Sequence, residues 1–136
     1  MTTAIDTNVL FDVFLPDPIF GVRSRQTIED CSHLGGLVIS EPVYAELAGR
    51  FPSQENLDEI LSELGVLVES VSRGGAFAAG CAWKKYRQGG GQRNRIMTDF
   101  LIGGHALEHA NQLLSRDRGF YKAYFGGLKI IDPSQG

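Results

Sequence analysis

The chain has 136 residues, and its 13 Lys and Arg against 16 Asp and Glu give a formal charge of −3 with the 3 His neutral. At 43% apolar and 21% charged residues it can bury a core, so wholesale disorder is excluded, and the length fits one domain over residues 1–136. The acidic balance excludes a protein that coats nucleic acid by bulk charge but admits one that meets it through metal ions. Residues 2–5 form a short β-prone run, and Asp6, Thr7 and Asn8 follow it with side chains suited to a helix start. The helix through Val9, Leu10, Val13 and Phe14 should break at Pro16 and Pro18, because proline lacks the backbone donor. Residues 22–34 read as a second helix, with Ile28, Cys31 and Leu34 three apart, closed by Gly35 and Gly36. The continuously apolar run 37–40 predicts a strand buried on both faces.

Pro42 suits the first turn of a helix running to Gly49, which carries Glu46. Ser53 caps an amphipathic helix to Leu64, with Leu57, Ile60, Leu61 and Leu64 on one stripe. A strand over 66–71, an Ala-rich helix over 76–86 and a glycine loop over 88–92 come next. Thr98 is expected to cap a helix over 99–110, whose Gly103, Ala106 and Ala110 are small enough for close packing. A strand at 113–114, a short aromatic helix over 118–125 and a last strand over 128–131 complete the chain. This alternation predicts an α/β fold of three α/β/α layers around a mostly parallel sheet. No apolar run approaches the ~20 residues of a membrane span, and the N-terminus lacks a basic flank, so a cytoplasmic protein with no membrane partner is expected. Cys31 and Cys81 fit neither a disulfide framework nor a metal pair and are expected to be small buried apolar residues.

Ligands of open parallel sheets bind outside the carboxyl ends of the strands. Asp6 follows the first strand, Glu46 lies a turn beyond the second, Asp99 opens the helix after the glycine loop, and Asp117 follows the fourth strand. Each acid alone reads as a helix-start, turn or solvated residue. If the four converge, each pair at 5 Å repels by about 3 kcal/mol at an effective dielectric near 20, which calls for a cation or a raised pKa. Oxygen-only donors suit Mg²⁺ or Mn²⁺.

The segments Ile5-Asp6-Thr7-Asn8-Val9-Leu10, Tyr44-Ala45-Glu46-Leu47, Thr98 to Ala106 and Ser115-Arg116-Asp117-Arg118-Gly119-Phe120 occur in an order that resembles the PIN-domain ribonuclease family, and the size resembles the toxins of VapBC-type toxin–antitoxin pairs. The resemblance implies that Asp6, Glu46, Asp99 and Asp117 form an acidic, metal-binding quartet, with Asp6 and Asp99 as direct ligands. Thr7, Asn8 and Ser115 would orient those carboxylates, a role their donors can fill. It further implies hydrolysis of RNA phosphodiesters with one or two Mg²⁺ or Mn²⁺ ions, inhibition by a cognate antitoxin, and a homodimer. Ser115 departs from the threonine more common there, and Gly126-Gly127 from a proline-containing turn; the region from Pro52 to Arg95 matches only in helix pattern.

The locally basic residues Lys84, Lys85, Arg87, Arg93 and Arg95 are assigned to RNA phosphate contact, against a solvated helix end as the plainer reading. Trp83 and Tyr86 are expected to pack rather than to stack on bases. His105 to His109 spells H-x-x-E-H, but a zinc site of that kind needs a further ligand that the downstream sequence does not offer. A phosphatase start would need a second acid after Asp6, and Thr7-Asn8 supplies none. A non-catalytic PIN-like scaffold binding RNA or protein is the alternative to the nuclease.

Overall fold

The computed structural model describes residues 1–90 and 95–135. In chain order its elements are β1 (Thr2–Ile5), α1 (Thr7–Phe14), α2 (Gly21–Leu34), β2 (Gly36–Ser40), α3 (Glu41–Ala48), α4 (Gln54–Leu64), β3 (Val66–Glu69), α5 (Arg73–Gln88), α6 (Met97–His109), β4 (Gln112–Leu114), α7 (Arg118–Tyr124) and β5 (Ile130–Ile131). The strands lie in the order β3-β2-β1-β4-β5, and every neighbouring pair is parallel. The expected mostly parallel sheet is thus wholly parallel among the described residues.

The most buried strands take the centre. Ala4 of β1 pairs with Val38 of β2 on one side and Leu113 of β4 on the other, and all three are buried. From β1 the chain steps outward through β2 to β3, then returns to β4 and β5 on the far side. With right-handed crossovers, that path puts α1 to α4 on one face and α5 to α7 on the other. Accordingly α2 packs on β2 and α4 on β3, whereas α6 crosses β1, β2 and β4. The reversal of direction falls between β1 and β4, which makes their carboxyl ends the mouth of the sheet.

The small residues of α6 act by close approach. A Cβ on Gly104 would lie 2.1 Å from the Gly75 carbonyl oxygen of α5, and one on Gly103 would lie 2.5 Å from the Phe125 ring. Trp83 and Tyr86 of α5 pack on Phe100 of α6, with centroids 5.2 and 5.5 Å apart, so neither is a free platform for bases.

Several boundaries differ from expectation. α6 begins at Met97, so Thr98 lies inside it, and the carboxylate of Asp99 takes the cap by accepting from the Ile96 amide. β3 stops at Glu69 because the Val71 amide turns to donate to Glu41 Oε1 rather than to the sheet. Cys31 is buried, but Cys81 is exposed, which corrects its expected burial. Part of the predicted glycine loop lies outside the described residues, as does Arg93. Among the described residues no helix is long and apolar enough to cross a membrane.

Candidate active site

β1 delivers Asp6 to the mouth of the sheet, where its backbone amide still donates to the Leu114 carbonyl of β4 at 2.9 Å. The Asp6 side chain caps α1: Oδ1 accepts from the Thr7 amide at 2.8 Å. Its Oδ2 accepts from the Ser115 hydroxyl at 2.7 Å, the Tyr121 hydroxyl at 3.0 Å and the Asn8 amide group at 3.4 Å. β1 and β4 therefore meet through side chains across the point where the strand order reverses. Asp6 is only 6% exposed. Burial pushes its carboxyl up from 3.8 to about 6; Ser115, Tyr121 and the Thr7 amide pull it back, and the charge of Glu46 adds to the rise. No lysine or arginine pairs with it among the described residues.

The other expected acids have different partners. Glu46 is exposed in the second turn of α3, and its Oε1 accepts the Thr7 hydroxyl at 2.6 Å, so Thr7 links two acids. Asp99 is half-buried in the first turn of α6, and Asp117 is half-buried just before α7. The Ser115 hydroxyl accepts from the Asp117 amide at 2.9 Å, while Asn8 Oδ1 accepts from the Arg116 amide at 3.1 Å. Together these bonds fix the turn after β4. The Tyr121 phenol is held well above its ordinary range, first by burial and then by the charges of Asp6, Asp99 and Asp117. One phenol thus senses three of the four expected acids, and Asp6 senses the fourth.

Carboxylates and hydroxyls are the donors present, and they suit a hard divalent cation. Two observations fit such an ion. Among the described residues, Asp6 is buried with no lysine or arginine partner, and the Ser40 hydroxyl, buried at the end of β2, has no hydrogen-bond partner. Ser40 stands two residues past Val38, as Asp6 stands two past Ala4, its register partner. The four acids do not form a closed cage, since no three His, Cys, Asp or Glu among the described residues are grouped closely enough to hold a metal. The residues therefore fit the ion in donor chemistry and charge.

Of the expected RNA-contacting cations, Lys84, Lys85 and Arg87 are exposed at the end of α5, with Arg87 5.9 Å from the Trp83 centroid. Arg95 is elsewhere in character: its guanidinium forks over Asp117. Tyr121 was not foreseeable as a ligand of Asp6 from spacing alone, although it lies one turn after Asp117, on the side a short helix would turn inward. Neither was the pair of Arg116 with buried Asp12, whose two bonds measure 2.9 Å each across 104 positions of chain. His105 is buried with Nε2 2.9 Å from Glu69 Oε1 and its ring stacked on His109, and burial holds its pKa below the ordinary range. None of the four acids bonds to that pair, and no third group joins it in a metal-holding set among the described residues.

A wholly parallel α/β sheet with acids at its topological switch point defines the class of this protein. The family model of the PIN domain matches residues 3–126, and the chain belongs to that family. Its fold is similar to a chain of VapBC2 from Rickettsia felis solved on a DNA fragment from the promoter, with a TM-score of 0.73 at 21% identity, covering 97% of this chain and 98% of that one. VapBC-1 from nontypeable Haemophilus influenzae gives 0.71 at 21% identity, with coverages of 98% and 99%. A toxin–antitoxin complex from Klebsiella pneumoniae gives 0.70 at 18%, with coverages of 96% and 97%. The comparison with curated proteins returns no matching sequence.

Proposed function

We propose that this protein is a Mg²⁺- or Mn²⁺-dependent endoribonuclease, the toxin of a VapBC-type pair, held in check by a cognate antitoxin in the cytoplasm. The observation that carries this reading is Asp6, a buried carboxylate at the switch point of a PIN fold that has hydroxyl partners and, among the described residues, no lysine or arginine partner. Asp6 and Asp99 would hold the metal, with Glu46 and Asp117 completing the charge. When bound, the ion supplies charge stabilisation at the phosphate and a more acidic water.

The chain's own residues perform the positioning. Ser115, Tyr121 and the Thr7 amide hold both oxygens of Asp6, and the Thr7 hydroxyl aims Glu46 toward the same space. Asn8 ties Asp6 to the turn carrying Ser115 and Asp117 through its amide group and its carbonyl. Ionised above about pH 6, Asp6 gives the site its deepest negative charge. Lys84, Lys85, Arg87, Arg93 and Arg95 are proposed to meet RNA phosphates, with loss of affinity at rising salt as the signature.

Two partners follow. Similar solved structures are described as a toxin–antitoxin complex and as VapBC-1, and a set of carboxylates of this kind suits a basic antitoxin side chain. A homodimer is also proposed, and a monomer in analytical ultracentrifugation at high concentration would dismiss it. The test of the activity is cleavage of total cellular RNA by antitoxin-free protein with Mg²⁺, with Mn²⁺ and with chelator. Metal-dependent fragments, absent with Asp6→Asn, are expected. Intact RNA with folded, metal-loaded protein would favour a scaffold that binds without cutting.

A further inference from the structure

Three of the four acids are met by neutral groups: Asp6 by hydroxyls and amides, Glu46 by the Thr7 hydroxyl, and Asp99 by the Ile96 amide. Asp117 is met by a cation. Arg95 sets Nη1 on Oδ2 and Nη2 on Oδ1, the second at 3.1 Å, in the fork geometry that matches a guanidinium to a carboxylate. The same guanidinium lies 4.4 Å from the centroid of the buried Phe120 ring, so two groups hold it in place. The charges of Asp117 and Asp99 both stabilise it.

We propose that Arg95 is an internal cation that competes with a divalent ion for the charge of Asp117, so that loading the site weakens one pairing in favour of the other. The inference rests on the metal-site reading above. Its physical basis is that both carboxylate oxygens of Asp117 already accept from the guanidinium, and a divalent ion that draws on the charge of Asp117 would compete for the same carboxylate. The exchange needs no opening of the core, because the side chains of Arg95 and Asp117 are 28% and 34% exposed. That exposure also limits the strength of the competition, since water screens such pairs. Arg95 therefore sets the metal concentration at which the site fills, without blocking it.

The test is Mn²⁺ affinity, measured by titration calorimetry and by the loss of the free-ion paramagnetic resonance signal, on the full chain without antitoxin. Arg95→Met keeps an apolar stem against Phe120 and removes the charge; it should bind Mn²⁺ about fivefold more tightly than wild type, the scale of one partly exposed ion pair. Arg95→Lys keeps charge without the fork and should fall between the two. Arg73→Ala, which removes one exposed arginine from the start of α5, controls for net charge and should change affinity by less than about twofold. In an Asp117→Asn background the effect of Arg95→Met should vanish. Equal or weaker affinity in Arg95→Met, with wild type binding normally, overturns the competition alone. Absence of Mn²⁺ binding in wild type and variants alike overturns the metal-site reading and the competition with it.

Discussion

Asp6 caps the short helix α1 and Asp12 lies within it; the two are almost equally buried, at 6% and 3% exposed, yet they are satisfied in opposite ways. Asp12 receives Arg116 through two bonds of 2.9 Å and Ser24 at 2.8 Å, and the Arg116 guanidinium is backed by the Phe20 ring at 4.1 Å. Among the described residues Asp6 receives only hydroxyl and amide donors, which lower the cost of its charge without cancelling it. A buried acid with an internal counter-ion is complete within the chain. One without invites an external cation, and this asymmetry separates the structural carboxylate from the candidate catalytic one.

The sharpest break of the comparison is to make the same change at both positions. Asp6→Asn should lower metal-dependent RNA cleavage by about 10³-fold, near 4 kcal/mol of barrier, because it removes the charge at the centre of the site. Asp12→Asn should leave cleavage by the folded protein within about tenfold. Similar losses from the two substitutions, in single-turnover assays on folded protein, would erase the distinction. Stability should rank them the other way. Asp12→Ala strands Arg116 and should cost about 3 kcal/mol, lowering Tm by about 10 °C. A melting curve indistinguishable from wild type would show that the Arg116 pair holds nothing in place.

How much of this contrast was legible beforehand depends on chain distance. Asp6 could be picked out because it follows an apolar strand and precedes a helix, and local sequence decides both. The all-parallel sheet was legible because each strand alternates with helices whose apolar spacing repeats, as in residues 57–64. Asp12 carried no such mark, since its partner lies 104 residues away and only the folded crossover brings β4 beside α1. Arg95 was readable as a basic residue near a glycine loop but not as a partner of Asp117. Thr98 was misplaced for a local reason: Asp99 can cap the Ile96 amide itself, so the helix starts one residue before Thr98.

The burial of Asp6 should also appear in the pH dependence of stability. Because Asp6 rises from 3.8 to about 6 on folding, the native state holds its proton more tightly, and the stability this confers is fully present below pH 3.8. It is lost as pH climbs through about 6, a fall of about 3 kcal/mol for a shift near two units. Metal-free Asp6→Asn should lack that portion of the decline and be the more stable protein at pH 8. Denaturant melts of wild type and variant between pH 4 and 8 measure the difference; parallel curves would mean that Asp6 does not titrate in this range.

The smallest expected effect isolates one donor. Tyr121 contributes a single hydroxyl bond of 3.0 Å to Asp6 Oδ2, while Ser115 and the Thr7 amide hold the carboxylate independently. Tyr121→Phe should therefore keep the fold and raise the Asp6 pKa in metal-free protein by about one unit, since a bond to a charged acceptor is worth about 1.5 kcal/mol. Carbon-13 titration of the Asp6 carboxyl reads that shift directly. The same variant should leave the Asp12 and Arg116 pair untouched, because no bond connects Tyr121 to either among the described residues. An unchanged Asp6 titration would place the phenol proton elsewhere and leave Ser115 as the hydroxyl that sets the charge of the site.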